Sequence, residues 1–322
     1  MKSVAKRVLL AAFCLAVFSL AAINSSAQET SPGEVIKINT DLVVLDAQVL
    51  NKKTGQAVGD MKREDFELYE DGVKQEISYF SQDELPLSIL LLLDVSGSVR
   101  PIINQIGEGA LSALQQLKPQ DEVAVMAFAT FPKLIQGFTK DRRLIADKIK
   151  EASQTDTIGR GTFLTPALFD AAGEMLDASN SSSRRVIIVV TDNIAATGNK
   201  ETVRRTLREL FESGSAVYGL IVRGGIGKAM NIMTLGLVKA VNSYSEQTGG
   251  EIINADKKEV EAKLAETIRH LRMRYSLGFK PLNTKQDENF RRIKLQLSPA
   301  TAKRKGKLAV VTKQGYYFRR RS

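Results

Sequence analysis

The chain has 322 residues, of which 43% are hydrophobic and 25% charged, a balance that excludes a disordered or fibrous protein and suits one large or two smaller globular domains. Its single cysteine, Cys14, lies near the start, which excludes disulfides and thiol chemistry from the rest of the chain. The formal net charge is +10, and basic residues are concentrated near the end of the sequence, at Lys303, Arg304, Lys305, Lys307 and Arg319–Arg321.

The N-terminus has the pattern of a secretory signal peptide. A basic start, Met1–Arg7, precedes the apolar run Val8–Ala22, and the small residues Ser25 and Ala27 suit cleavage after Ala27. We therefore predict that residues 1–27 are a cleaved signal peptide and that the protein is secreted or periplasmic. The alternative is an uncleaved segment that anchors the chain at its N-terminus to the inner membrane.

Residues 28–84 are predicted to be a polar leader followed by β structure. Ile36–Leu50 combines alternation with β-branched residues, and Phe66–Tyr69 alternates as well. Asp71-Gly72 separates this run from Lys74–Phe80, and Asp-Gly between two such runs indicates a β-hairpin.

From Pro86 onwards, strand-like runs alternate with amphipathic helical patterns. This alternation predicts an α/β fold with a doubly wound, mostly parallel sheet that is covered by helices on both faces, over residues 85–274. The predicted strands are Leu87–Asp94, Glu122–Ala129, Leu134–Phe138, Arg185–Asp192, Ala216–Val222 and Glu251–Ala255. The predicted helices lie near residues 102–117, 141–152, 164–178, 200–213, 230–247 and 257–273.

The final segment, residues 275–322, returns to β patterns. Tyr275–Pro281, Phe290–Leu297 and Lys307–Lys313 are β-rich. The economical arrangement is that this segment packs with residues 36–82 as a small β-sandwich, with the α/β domain inserted between the two. Two separate β appendages are the alternative.

The chemistry-bearing residues follow two of the predicted buried strands. Asp94, Ser96 and Ser98 come at alternate positions at the end of the first, and Asp192 ends the fourth. In a sheet of strand order 3-2-1-4-5-6 these two strands are neighbours, so both aspartates should meet at the crevice where ligands bind. A glycine-rich turn that ends at Thr162 leads towards the same crevice. Carboxylates and hydroxyls without His or Cys are ligands for a hard cation such as Mg²⁺.

This constellation resembles the von Willebrand factor type A domain and its metal-ion-dependent adhesion site. The family pattern is Asp-x-Ser-x-Ser, then a threonine, then an aspartate; the residues here are Asp94, Ser96, Ser98, Thr162 and Asp192, in order. Asn193 departs from the family pattern, in which a glycine often follows the last aspartate. Asparagine tolerates a left-handed backbone, so the departure is compatible with the site.

The flanks are similar to a group of secreted von Willebrand type A-related proteins of acidobacteria. The segments that carry this second resemblance are Arg63–Gly72, Tyr275–Phe279 and Gln314–Tyr316. The family resemblance implies a binding function: the five residues hold a divalent cation, with Mg²⁺ as the default and Mn²⁺ or Ca²⁺ as alternatives. It also implies that a carboxylate from a protein partner fills the open coordination position.

Two other functions compete with metal-dependent adhesion. The basic C-terminal region could bind anionic envelope polymers or lipid head groups, with a vestigial metal site; nucleic acid is an unsuitable partner for a secreted protein. A metal-dependent hydrolase would need a general base, and the one histidine, His270, lies off the apolar stripe of its helix and is predicted to be exposed. We therefore predict that the protein is not an enzyme.

Overall fold

The computed structural model describes residues 42–82, 85–193, 195, 199–223, 240–285 and 289–317. The predicted signal peptide, its alternative as an anchor, and the first part of the helical pattern at 230–247 lie outside these residues.

The strands occur in three groups along the chain. Those before the α/β region are β1 (Val43–Asn51), β2 (Phe66–Glu70), β3 (Val73–Gln75) and β4 (Ile77–Ser81). Those within it are β5 (Leu87–Asp94), β6 (Glu122–Phe128), β7 (Pro132–Thr139), β8 (Arg184–Thr191), β9 (Ser215–Arg223) and β10 (Ile252–Asp256). Those after it are β11 (Tyr275–Phe279), β12 (Phe290–Leu297), β13 (Leu308–Thr312) and β14 (Gly315–Tyr317).

The α-helices lie mainly between the strands of the middle group. They are α1 (Arg100–Leu114), α2 (Arg142–Ser153), α3 (Leu164–Glu174), α4 (Lys200–Glu212), α5 (Ala240–Thr248), α6 (Val260–Arg272) and α7 (Pro299–Lys305). None of the helices in the described part of the chain is long and apolar enough to cross a membrane.

The middle strands form one sheet in the order β10-β9-β8-β5-β6-β7. If β5–β10 are numbered 1–6 and the sheet is read from β7 to β10, the order is 3-2-1-4-5-6, as predicted. All neighbouring strands are parallel except the edge strand β7, which is antiparallel to β6. The predicted α/β fold class is therefore confirmed. β5 and β8 are neighbours, with Leu93 opposite Val190, so the residues that follow them lie at one edge of the sheet.

The sheet is covered on both faces because alternate residues of its central strand pack against different helices. In β5, the odd-numbered positions, such as Ile89 and Leu91, pack in one core cluster with apolar residues of α1, α2 and α6. The even-numbered positions Leu90 and Leu92 pack in a second cluster with residues of α3, α4 and α5. A strand that is buried on both faces explains the uninterrupted apolar run before Asp94.

The flanking segments combine into two antiparallel sheets, β13-β1-β11-β4 and β14-β12-β2-β3. Each sheet contains strands from both ends of the chain, and Leu45, Leu68, Leu277 and Leu295 share one core cluster between them. This arrangement confirms the predicted sandwich of the two flanks and not the alternative of separate appendages.

Two local features differ from the sequence-based expectation. The run Lys74–Phe80 is divided at Glu76, so that β3 and β4 belong to different sheets. The helix α7 was not predicted; Ser298 caps it by accepting a hydrogen bond from the Thr301 amide, and Pro299 occupies its first turn. The hairpin turn at Asp71-Gly72 is confirmed, with both residues at positive φ, 46° and 84°.

Candidate metal centre

Asp94 is the buried centre of the site. Its side chain has no exposed surface, and it ends β5 between β6 and β8. One carboxylate oxygen, Oδ1, accepts a hydrogen bond from the Ser96 amide at 2.9 Å, and the other, Oδ2, accepts one from the Thr191 hydroxyl at 2.6 Å. The carboxylate is thus fixed in orientation by residues from two neighbouring strands.

The second aspartate is held from the opposite side. Ser98 Oγ donates a hydrogen bond to Asp192 Oδ2 at 2.7 Å, although the two residues are far apart in the sequence. Asp192 is half-buried, and Asn193 after it has a φ of 63°, so asparagine takes the left-handed conformation that the sequence allowed for. The structure therefore brings Asp94, Ser96, Ser98 and Asp192 together through the ends of β5 and β8.

Thr162 reaches the same edge of the sheet by a separate route. Its turn is anchored to the end of β6, because Thr130 Oγ1 accepts from the Gly161 amide at 3.0 Å and Ala129 O accepts from the Phe163 amide at 2.9 Å. Phe128, which directly precedes Ala129, lies opposite Asp94 in the sheet. Thr162 is half-buried, and among the described residues its hydroxyl makes no hydrogen bond to the other four.

The electrostatic state of Asp94 favours a bound cation. Burial raises the pKa of Asp94 to about 6. The Thr191 hydroxyl and both the amide and the nearby hydroxyl of Ser96 lower it, and the charge of Asp192 raises it further. A buried carboxylate with a second carboxylate nearby costs free energy in its charged form, and a cation would remove that cost.

Ser96 provides the clearest test of whether the residues fit a metal ion. Its side chain is only 5% exposed, and its Oγ is a buried polar atom that meets no hydrogen-bond partner of good geometry in the described part of the chain. Buried hydroxyls normally make good hydrogen bonds, so one that does not, beside two carboxylates, fits the role of a metal ligand. No cluster of three or more His, Cys, Asp and Glu side chains suited to a metal occurs among the described residues, so a metal at this edge needs the hydroxyls.

Sequence reasoning missed three residues that build the site. Thr191 orients Asp94, Thr130 holds the turn before Thr162, and Asn242 of α5 accepts a hydrogen bond from Asn193 Nδ2 at 3.3 Å. A threonine directly before the second aspartate was a visible signal. The roles of Thr130 and Asn242 depend on contacts between elements that are distant in the sequence, so no local pattern indicated them.

His270 differs from its prediction. Its side chain is only 20% exposed, and its Nδ1 lies 3.6 Å from Glu251 Oε2, because the last turn of α6 packs against the start of β10. The carboxylate of Glu251 raises the pKa of His270. The histidine therefore has a structural partner outside the predicted site.

The chain has a doubly wound sheet whose Asp-x-Ser-x-Ser loop lies at the switch point, which is where α/β domains of this class bind their ligands. Residues 89–195 match the family model of the von Willebrand factor type A domain. No curated protein matches the chain.

Several solved structures are similar to the chain at low identity. BatB, a conserved hypothetical protein from Bacteroides thetaiotaomicron, is 16% identical over 57% of this chain and 98% of its own, with a TM-score of 0.45. The manganese-loaded TRAP protein of Plasmodium vivax is 16% identical over 71% of this chain and 82% of its own, with a TM-score of 0.40. Proximal thread matrix protein 1 from the mussel byssus, with a zinc-occupied MIDAS motif, is 14% identical over 58% of this chain and 48% of its own, with a TM-score of 0.43.

Proposed function

We propose that the protein is an extracytoplasmic, metal-dependent binding module that recognises an acidic group on a protein partner. The residues that would hold the cation are Asp94, Ser96, Ser98, Thr162 and Asp192. The observation that carries the proposal is the buried hydroxyl of Ser96, which makes no hydrogen bond of good geometry and lies next to the carboxylate of Asp94. Mg²⁺ suits this oxygen-only set best, with Mn²⁺ and Ca²⁺ as alternatives.

The residues contribute in different ways. Asp94 and Asp192 supply at most two negative charges, so a bound dication would be close to neutral and would still attract a third carboxylate. The hydroxyls of Ser96, Ser98 and Thr162 are neutral donors of lone pairs, which preserves that attraction. When bound, the cation supplies an open coordination position for the partner's acidic side chain.

The proposed location outside the cytoplasm rests on the leader pattern of residues 1–27, a basic start followed by an apolar run and a small-residue cleavage site. Cleavage would release a secreted or periplasmic protein, and retention would leave it anchored to the inner membrane.

We also propose that the module is not an enzyme. Its one histidine, His270, pairs with Glu251 and not with a residue of the site, so it supplies no general base there. Binding of anionic polymers through the basic C-terminal region is less well supported. Arg304 pairs with Asp65 at 2.7 Å, and Lys305 pairs with Asp60 at 2.6 Å, so part of that positive charge is already compensated.

The open coordination position can be tested with Mn²⁺ and the simplest carboxylate. Water-proton relaxation reports the water molecules on protein-bound Mn²⁺, and we expect added acetate to lower the relaxation enhancement where equal chloride does not. Ser96→Ala should abolish the enhancement, and Ser182→Ala, at an exposed serine away from the site, should retain it. Enhancement that is equal in wild type and Ser96→Ala would contradict the proposal. Partner binding that ignores EDTA and falls steeply with salt would instead favour the basic region.

A further inference from the structure

A groove of about 530 Å³ lies between α5 and β10 on one side and β12 and β13 on the other. None of the five predicted metal-site residues lines it. Its walls include Ile252, Leu295 and Val310, and its polar lining includes Ser245 and Lys313. The groove is lined by three consecutive residues of β12 and by every residue from Val310 to Gln314. Alternate residues of a strand point to opposite faces of the sheet, so a run of consecutive lining residues indicates that both strands face the groove with their backbone edges.

The edge of β13 is open towards the groove. Among the described strands, β13 pairs with β1 alone. Lys52 N donates to Lys307 O at 3.0 Å, so the residues of β13 that bond to β1 can be counted from this pair. Because antiparallel positions alternate, the N–H and C=O groups of Val310 and Thr312 point away from β1. Among the described residues these groups have no backbone partner.

The facing edge of β12 pairs with β14 over Phe290–Arg292, and the described residues leave it open beyond Ile293. Ser298 N donates to Asp65 O at 2.8 Å, so by alternation the backbone groups of Leu295 point away from β2. The groove is closed at one end by Gln314, whose carbonyl accepts from the Ile293 amide at 2.8 Å. Two unpaired strand edges therefore face the same space.

Two polar side chains of the groove wall also lack a direct hydrogen bond or close ion pair in the described part of the chain. Ser245 is 2% exposed, and its Oγ is buried without a hydrogen bond. Burial lowers the pKa of Lys313, and the charge of Asp46, a carboxylate that already pairs with Arg184 at 3.1 Å, raises it. Lys294 and Glu246 line the groove as exposed charges, so its net charge is positive. Because Asp46 is shared with Arg184, a further anion would stabilise the partly buried charge of Lys313.

We propose that this groove binds an extended peptide segment with an acidic side chain, which pairs with the open edge of β13 and places its carboxylate on Lys313. Strand addition of this kind takes its affinity from main-chain hydrogen bonds and its specificity from alternate side chains. The apolar side chains of the peptide would contact Ile252, Leu295 and Val310. A second copy of the chain fits less well, because α5 and β12 wall in the edge of β13 and exclude the edge of a folded sheet.

The test uses the full chain and a fluorescein-labelled hexapeptide in which valine alternates with aspartate. We expect saturable binding in fluorescence anisotropy, in EDTA as well as in Mg²⁺. Asparagine in place of aspartate should weaken binding by about tenfold, because a charge-assisted hydrogen bond is lost. N-methylation of the valine amides should weaken it at least as much, because strand pairing needs those donors.

Protein variants separate the groove from general attraction to a basic protein. Lys313→Gln should weaken binding by about tenfold, since the same ion pair is lost. Lys53→Gln, which removes an exposed lysine in the turn after β1, should leave the affinity unchanged. Thermal melting of both variants checks that each is folded.

Three results would overturn the proposal. They are no saturable binding of the valine–aspartate peptide, equal binding of the N-methylated peptide, and equal weakening by Lys313→Gln and Lys53→Gln. Binding that requires Mg²⁺ would place the peptide at the metal centre and would likewise overturn the assignment to the groove.

Discussion

The hydroxyl of Thr191 donates a 2.6 Å hydrogen bond to Oδ2 of Asp94, and this contact joins the ends of β5 and β8. The same hydroxyl accepts a hydrogen bond from the Asn193 amide at 3.1 Å. The side chain of Thr191, which is only 1% exposed, therefore orients both the carboxylate of Asp94 and the turn that carries Asp192.

Replacing Thr191 by valine keeps the shape of the side chain and removes both hydrogen bonds. We expect the free energy of unfolding to fall by about 1–3 kcal/mol, because a buried amide and a carboxylate lose a partner. Mg²⁺ affinity should fall as well, since Asp94 loses its fixed orientation. Urea unfolding and calorimetric titration measure the two effects. Thr284→Val, at an exposed threonine, is the control, and an equal effect of both substitutions would contradict the role of Thr191.

Asp94→Asn should raise the stability of the metal-free protein while it removes a carboxylate that the metal needs. The pKa of Asp94 is raised to about 6 from 3.8, so the folded metal-free protein binds the proton more tightly than the unfolded chain does. Its stability is highest when this carboxyl is protonated and falls as the pH rises from about 4 to about 6. The asparagine variant does not undergo this loss of stability, and at pH 7.5 without metal it should be more stable than wild type by about 3 kcal/mol.

Urea unfolding at several pH values in EDTA measures this difference. The gap between the variant and wild type should widen between about pH 4 and 6 and stay constant above. A gap that is independent of pH, or a variant that is less stable at pH 7.5, would show that Asp94 is not held in a destabilised charged state.

Metal affinity should depend on pH through the same group. The metal needs the ionised carboxylate, so protons compete with it below the pKa of Asp94, which is about 6. We expect the affinity for Mg²⁺ to be constant above about pH 7 and to fall by about tenfold per unit well below pH 6. Titrations in buffers of different ionisation enthalpy should show proton release near pH 6. An affinity that does not change between pH 5 and pH 8 would contradict this assignment.

The turn that carries Thr162 depends on Gly159. Its φ is 82°, and a Cβ added there would lie 2.3 Å from Thr130 Oγ1, the atom that holds the Gly161 amide. Gly159→Ala should therefore displace the turn, lower the free energy of unfolding by about 1–3 kcal/mol and weaken metal binding. Gly55→Ala is the matched control, since Gly55 also has a positive φ, 71°, but open space around it. Loss of metal affinity in Gly159→Ala alone supports Thr162 as a ligand, and unchanged affinity would exclude this turn from the site.

Much of the α/β architecture could be predicted because its central strands are buried on both faces. β5 and β8 are apolar runs of strand length, and the order of strands placed Asp94 and Asp192 at one edge before any contact was known. Local chemistry was also sufficient for the Asp71-Gly72 turn and for the left-handed Asn193.

The remaining features depend on tertiary contacts that periodicity does not encode. The division of one β-rich run at Glu76 follows from β3 and β4 pairing with different strands, β2 and β11. The helix α7 has only seven residues, too few for a periodic signal, although Ser298 before Pro299 marks its start. The burial of His270 depends on Glu251, which is distant in sequence and lies at the start of another element.

The most direct test of the metal centre is calorimetric titration of the chain and of Ser96→Ala with Mg²⁺ and Mn²⁺, beside their thermal melting without metal. Because Ser96 Oγ is buried and makes no hydrogen bond of good geometry, its removal should leave the metal-free melting temperature nearly unchanged. We expect saturable binding by wild type and no binding by this equally stable variant. Binding of equal affinity by both proteins, or a wild-type chain that binds neither ion, would contradict the assignment of a functional metal centre to this edge of the sheet.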